Sequence, residues 1–179
     1  MQGFKRFCLI LIALLSACGS VLAQSYDTAE ETVSEQIVHE SNRYLSTVYT
    51  TATEGGNGLH ETIRAETVAR DGMYAGQTLT LSQLLGVEQE TETGSMASRL
   101  VYDLIWQIIE AERADPETEY LEDLAKADLE SVFSPETDYY LDADGNVVFF
   151  IQSGEIAGEV AGVLVFPFAP AELLSAVHE

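Results

Sequence analysis

The sequence predicts an α+β domain, an antiparallel β-sheet covered by two α-helices, and three stretches carry that prediction. Tyr139–Phe168 reads as an apolar hairpin, a Gly/Ala-rich crossing and one more apolar strand. Its Asp144-Gly145 pair separates two β-prone runs, and tight primed turns need the positive φ that glycine tolerates. The unbroken apolar run Val147–Ile151 suits a strand buried on both faces. Met96–Arg113 places Leu100, Val101, Leu104, Ile105, Ile108 and Ala111 at three- and four-residue steps, one apolar stripe of a helix. Tyr44–Thr53 is rich in aromatic and β-branched residues, and the alternation from His60 to Arg70 gives it an antiparallel partner.

The chain has 179 residues, 46% of them hydrophobic, enough for one globular domain and awkward for two. Residues 1–23 read as a secretory leader: Lys5 and Arg6, an apolar core from Phe7 to Leu15, then small residues. That core is too short to span a bilayer. Two cleavage readings compete. Leu15-Ser16-Ala17-Cys18 fits a bacterial lipobox at every position, with Cys18 as the lipidated first residue and Gly19-Ser20 opening a tether. Val21-Leu22-Ala23 offers the small residues read by ordinary signal peptidase, which would release a secreted or periplasmic protein. The lipobox fits better, and acyl chains on Cys18 would hold the protein at a membrane without a transmembrane helix.

Residues 24–40 are expected to be a tether and a short helix, with Val33, Ile37 and Val38 on one side and Glu30 and Glu31 in the first turn; an N-terminal strand is the alternative. Residues 41–179 form the domain. Gly55-Gly56-Asn57-Gly58 breaks the strand begun at Tyr44, and the pattern beyond His60 puts Ile63, Ala65, Thr67 and Ala69 on one face. Leu81 to Leu85 reads as one or two helical turns closed by Gly86. Ser95 caps the long helix and Asp115-Pro116 ends it. Glu117–Val132 is expected to be the second covering helix, with Leu121, Leu124, Ala125 and Leu129 inward. Trp106, the one tryptophan, lies off the centre of its helix stripe and reads as a packing residue. Pro170–Val177 makes a last short turn.

Once the leader is removed, six Lys and Arg face 30 Asp and Glu, a net −24. Such a surface repels nucleic acid and anionic lipid and favours basic partners. The cysteines, Cys8 and Cys18, both lie in the leader region, which removes disulfides, thiol nucleophiles and thiolate metal sites from the domain. Asp142-Ala143-Asp144-Gly145-Asn146 resembles half a calcium loop, but no carboxylate follows to close a cage, and the hairpin reading prevails. His60, beside glycines and Glu61, could serve as a base or ligand, yet the other histidines are His39 and His178 and no zinc spacing occurs. Gly94-Ser95 and Ser153-Gly154 lack the nucleophile-elbow pattern. With 30 acids, paired carboxylates carry no signal. No catalytic residue, metal or cofactor is expected, and a ligand-binding loop is expected at Gly55, Gly56, Asn57 and His60.

Assembled in order, the segments resemble an extracytoplasmic domain shared by RsiV-type anti-sigma factors, PdaC-type peptidoglycan deacetylases and stand-alone lipoproteins. The resemblance rests on Tyr44-x-Ser46 before the Gly55–His60 loop and on Gly76-x-x-Leu79-Thr80-Leu81-x-x-Leu84. It continues in Tyr140-Leu141-x-x-Asp144-Gly145 and in Glu155-Ile156-Ala157 with Gly162 and Pro167. It departs in the longer loop before His60 and in Gly154, where the pattern has an aromatic residue. No sigma-binding segment or deacetylase domain is read in the sequence, so regulation of transcription and deacetylation are not expected. The resemblance implies a sensor-like binding domain in the cell envelope, with lysozyme, another basic protein or peptidoglycan as partner. The rival expectation is a peptidoglycan- or carbohydrate-acting hydrolase centred on His60 and nearby acids.

Overall fold

A computed structural model describes residues 30–55, 58–87, 95–115, 118 and 120–177; the leader with Cys18, and the loop residues Gly56 and Asn57, lie outside them. The fold is α+β, with the strands divided between two three-stranded antiparallel sheets rather than gathered in one. The first is a meander of β1 (Glu30–Glu40), β2 (Tyr44–Gly55) and β3 (Gly58–Ala69). The second is built from β4 (Tyr139–Leu141), β5 (Val147–Ile151) and β6 (Leu164–Phe168), with β5 central. The helices are α1 (Leu81–Leu85), α2 (Met96–Glu112), α3 (Lys126–Val132) and α4 (Pro170–Val177).

Two expectations fail here. Glu30–Glu40 is a strand, not a helix: it runs antiparallel to β2 from Glu30 opposite Glu54 to Glu40 opposite Leu45, with a bulge between Ile37 and His39. Its helix-like spacing of Val33, Ile37 and Val38 is overridden by backbone pairing along its whole length. The second covering helix is also shorter than expected, starting at Lys126 rather than Glu117. The stretch before it is held extended by the pairing of Tyr120 with Ala157 and by the Leu121 N–H on the Ile156 carbonyl at 3.0 Å. The Arg113 guanidinium, at the end of α2, donates to the carbonyls of Leu121, Glu122 and Leu124, binding groups that a helix would have used itself. Leu121 and Ala125 are consequently exposed, while Leu124 and Leu129 face inward as expected.

The body of the protein forms around β5, every residue of which is buried. Val147, Phe149 and Ile151 join the main core with Ala97, Val101, Ile105 and Ile109 of α2 and Leu173 of α4. Phe149 packs edge-on against Phe133 and Phe168, with ring centres 6.0 and 5.8 Å away. On its other side β5 buries Val148 and Phe150, and Phe150 stacks on Tyr140. The α2 stripe is centred on Val101, Ile105 and Ile109, and Ala111 is exposed. The expected last turn, Pro170–Val177, is a full eight-residue helix packed on α2.

The local signals that hold are capping and turn signals. Thr80 and Gln83 form a reciprocal capping box on α1, and Gly86 ends it at φ 68°. The Ser95 hydroxyl accepts from the Ser98 N–H at the start of α2. At the β4–β5 turn, Asp142 takes the N–H groups of Asp144 and Asn146, each at 2.9 Å, while Gly145 adopts φ 81°. The carboxylate of the half calcium loop is therefore engaged by its own turn.

Candidate functional site

The first sheet differs from the body in how far it extends. Strands of 11 and 12 residues reach about 40 Å at roughly 3.3 Å per residue, against 3 to 5 residues in the second sheet. The first sheet is tied to the body along the half near the β1–β2 turn and as far out as Ile63, at the middle of β3, which the Gln152 side chain holds. There Ser46, Ala65, Thr67 and Ala69 are buried. The Ser46 and Thr67 hydroxyls lie 2.6 Å apart across β2 and β3, and Ser46 also accepts the Leu141 N–H from β4 at 3.1 Å. The His39 Nδ1–H donates to the Asp142 carbonyl at 2.8 Å, joining β1 to the β4–β5 turn.

Beyond these ties the sheet opens to solvent, and every residue from Glu31 to Ile37 is exposed. The register places Glu31, Thr53 and His60 in one cross-strand row, then Val33, Thr51 and Thr62, then Glu35, Tyr49 and Arg64, then Ile37, Thr47 and Glu66. Opposed residues share a face in such a ladder. One face of the arm thus carries Val33, 61% exposed, and Ile37, 55% exposed, among glutamates and threonines. The Arg64 guanidinium lies 4.3 Å from the centre of the Tyr49 ring and pairs with Glu66. Seven glutamates between Glu30 and Ala69 are opposed by Arg43 and Arg64, so the arm is acidic in its own right.

Of the expected binding-loop residues, the described Gly55 and His60 fall at the far end of this arm. Gly55 ends β2 and pairs with Gly58, the first residue of β3. His60 lies on β3, opposite Thr53, as an exposed strand residue and not on a loop. Its row offers Glu31 two strands away and no closer carboxylate. Among the described residues no group of three His, Asp or Glu side chains is placed to hold a metal ion.

A second polar centre, unforeseen from the sequence, lies where the helices begin. Glu136, in the turn before β4, accepts hydrogen bonds from the Ser82 N–H at 3.0 Å, the Ser82 hydroxyl at 2.7 Å and the Ser98 hydroxyl at 3.1 Å, and from the Ser95 hydroxyl. The three serines are buried. Burial pushes the Glu136 carboxyl up, but the donated hydrogen bonds outweigh it and hold the group below the ordinary carboxylate range. The Tyr139 hydroxyl, raised by burial and by the charge of Glu136, donates to the Leu79 carbonyl at 2.9 Å. An ionised carboxylate that receives four donors at the starts of α1 and α2 is a clasp that joins both helix starts to the turn before β4. The signal for it in the sequence is only Ser82, Ser95, Ser98 and an acid far along the chain, which no local spacing connects.

Comparison with known proteins adds no further constraint: no family model matches this chain, and no curated protein matches it in sequence.

Proposed function

We propose that this chain is an exported, lipid-anchored envelope protein whose α+β domain binds a cationic protein partner and performs no chemistry on it. The observation that carries the reading is the arm of the first sheet. It presents Val33 and Ile37 to solvent within an acidic surface that the body does not cover. Apolar residues give a partner surface to bury, and the surrounding glutamates set its sign. The leader with its lipobox at Cys18 supports the location, and the resemblance to the RsiV and PdaC extracytoplasmic domain supports recognition of lysozyme or another basic envelope component. Among the described residues no helix is long and apolar enough to cross a membrane, and acyl chains on Cys18 would supply the anchor in this reading. Calorimetric titration of the full chain with lysozyme tests the reading. Saturable binding that weakens by about tenfold or more from low to near-molar salt is expected, because the Debye length falls from about 10 Å to about 3 Å. Binding of no basic protein at low salt would refute it.

A further inference from the structure

Between Ile63 and Ala69 the outer edge of β3 contains one gap among its bonds to the body. In an antiparallel ladder alternate residues turn their N–H and C=O toward the partner strand, and the residues between turn theirs away from it. Over the part of β3 that runs beside the body, the residues facing outward are Ile63, Ala65, Thr67 and Ala69. Ala69 donates to the Gln77 carbonyl at 3.0 Å, and the Thr67 carbonyl accepts from the Leu79 N–H at 2.8 Å. At Ile63 no strand arrives; the Gln152 side chain does. Its Oε1 accepts the Ile63 N–H at 3.0 Å and its Nε2 donates to the Ile63 carbonyl at 2.7 Å. Between these two sets of bonds the Ala65 N–H and C=O point to the same edge, and among the described residues nothing bonds them there. A cleft of about 250 Å³ opens at this position, walled by Ile63, Leu79, Tyr139 and Phe150, with Arg64 and Asp138 as the charged residues of its lining.

We infer that this cleft binds a primary carboxamide, the side chain of a glutamine or asparagine, free or in a peptide. The chemistry is already displayed one step along the strand, where the Gln152 carboxamide closes two bonds with a single residue. Closing both on Ala65 requires a donor and an acceptor on the same side of the ligand group. A primary amide has them there, whereas a trans secondary amide points its N–H and C=O in opposite directions. A carboxylate supplies only acceptors and leaves the Ala65 carbonyl unpaired. A strand running along the edge is excluded by Gln152 on one side and residues 77–79 on the other, so the group must enter end-on. The apolar walls suit the methylenes that carry it. The site opens at the edge of β3, apart from Val33 and Ile37 and sharing only Arg64 with the face that carries them, and it does not depend on the cationic partner.

The test is an amide-resolved NMR titration of the ¹⁵N-labelled full chain with L-glutamine and with the tripeptide Gly-Gln-Gly. L-Glutamate, Gly-Glu-Gly and N-methylacetamide serve as controls. A saturable shift of the Ala65 amide is expected with one or both glutamine ligands, and the tighter of the two identifies a free or a peptide-borne group. The glutamate counterpart should bind at least about tenfold more weakly, the cost of one unpaired buried carbonyl. Thr78→Trp, at the exposed Thr78 of the lining, should abolish the shift while leaving the dispersion of the other amides intact. An Ala65 amide unmoved by either glutamine ligand, or moved equally by glutamate or N-methylacetamide, would overturn the assignment.

Discussion

The two sheets share a topology and differ in almost everything else. The β4–β5–β6 sheet is short, and its central strand, Val147–Ile151, is buried throughout. The β1–β2–β3 sheet is two to four times as long, and much of its length lies in water. The first kind of sheet is stabilised by apolar area removed from solvent, at about 25 cal/mol per Å². The second is stabilised by its backbone ladder, by cross-strand pairs worth a few tenths of a kcal/mol each, and by a few ties to the body. One sheet therefore determines whether the protein folds, while the other can change its surface without changing the fold. That division leaves the long sheet available for recognition.

Substitutions at graded distances from β5 should separate the two roles. The largest effect is expected at Phe149, fully buried and in contact with the rings of Phe133, Tyr139 and Phe168. Phe149→Ala should cost about 3–5 kcal/mol in chemical denaturation. A cost under 1 kcal/mol would mean that the short sheet is not the core.

Glu136 comes next. Glu136→Ala strips the acceptor from three buried serine hydroxyls and one N–H and should cost about 2–3 kcal/mol. Its pH dependence has a definite sign. The folded-state pKa lies below the ordinary glutamate value, so between the two the unfolded chain binds more protons and stability rises with pH. The contribution is complete above the unfolded pKa and lost as pH falls through the folded one. Denaturation midpoints followed down the acid limb should flatten in Glu136→Gln relative to the parent; parallel limbs would remove Glu136 from the acid response.

His39 should matter less, since its bond to the Asp142 carbonyl is one tie to the first sheet among several, with the Leu141 N–H on Ser46 and the Gln152 side chain on Ile63 as others. His39→Ala should lower stability by about 1 kcal/mol. Hydrogen exchange should then quicken in β1 ahead of β5, and uniform acceleration would show that the sheets open together.

The same division governs what could be read from the residues. Val147–Ile151 was legible as a buried strand because an unbroken apolar run satisfies both of its faces at once. The Asp142–Asn146 turn, the Thr80 and Ser95 caps and the α2 stripe were legible because each is decided within a turn or two of chain. At β1 the sequence favours a helix over the strand that forms, because Val33, Ile37 and Val38 match helical spacing and the exposed run Glu31–Ile37 buries no face that would impose a period of two. The extended course of residues 120–125 is not legible in the sequence, because the competition for their carbonyls comes from Arg113 and their other partners lie at Ile156 and Ala157. Ser46 stood out only as part of a motif, and the fold gives it a function in joining β2, β3 and β4. The Glu136 clasp and the Ala65 gap are products of tertiary structure and leave no local trace.

The smallest effect on stability and the largest on recognition are expected at the same place, the open face of the arm. Val33→Ser with Ile37→Ser should change the free energy of unfolding by no more than about 0.5 kcal/mol per site, since both side chains are already in water. The most direct measurement is lysozyme affinity of the parent and this double variant at low salt, alongside their denaturation midpoints. Midpoints that nearly coincide with a Kd raised about tenfold or more are predicted. An unchanged Kd, or a variant that loses binding only because it has unfolded, would contradict the assignment of recognition to the open sheet.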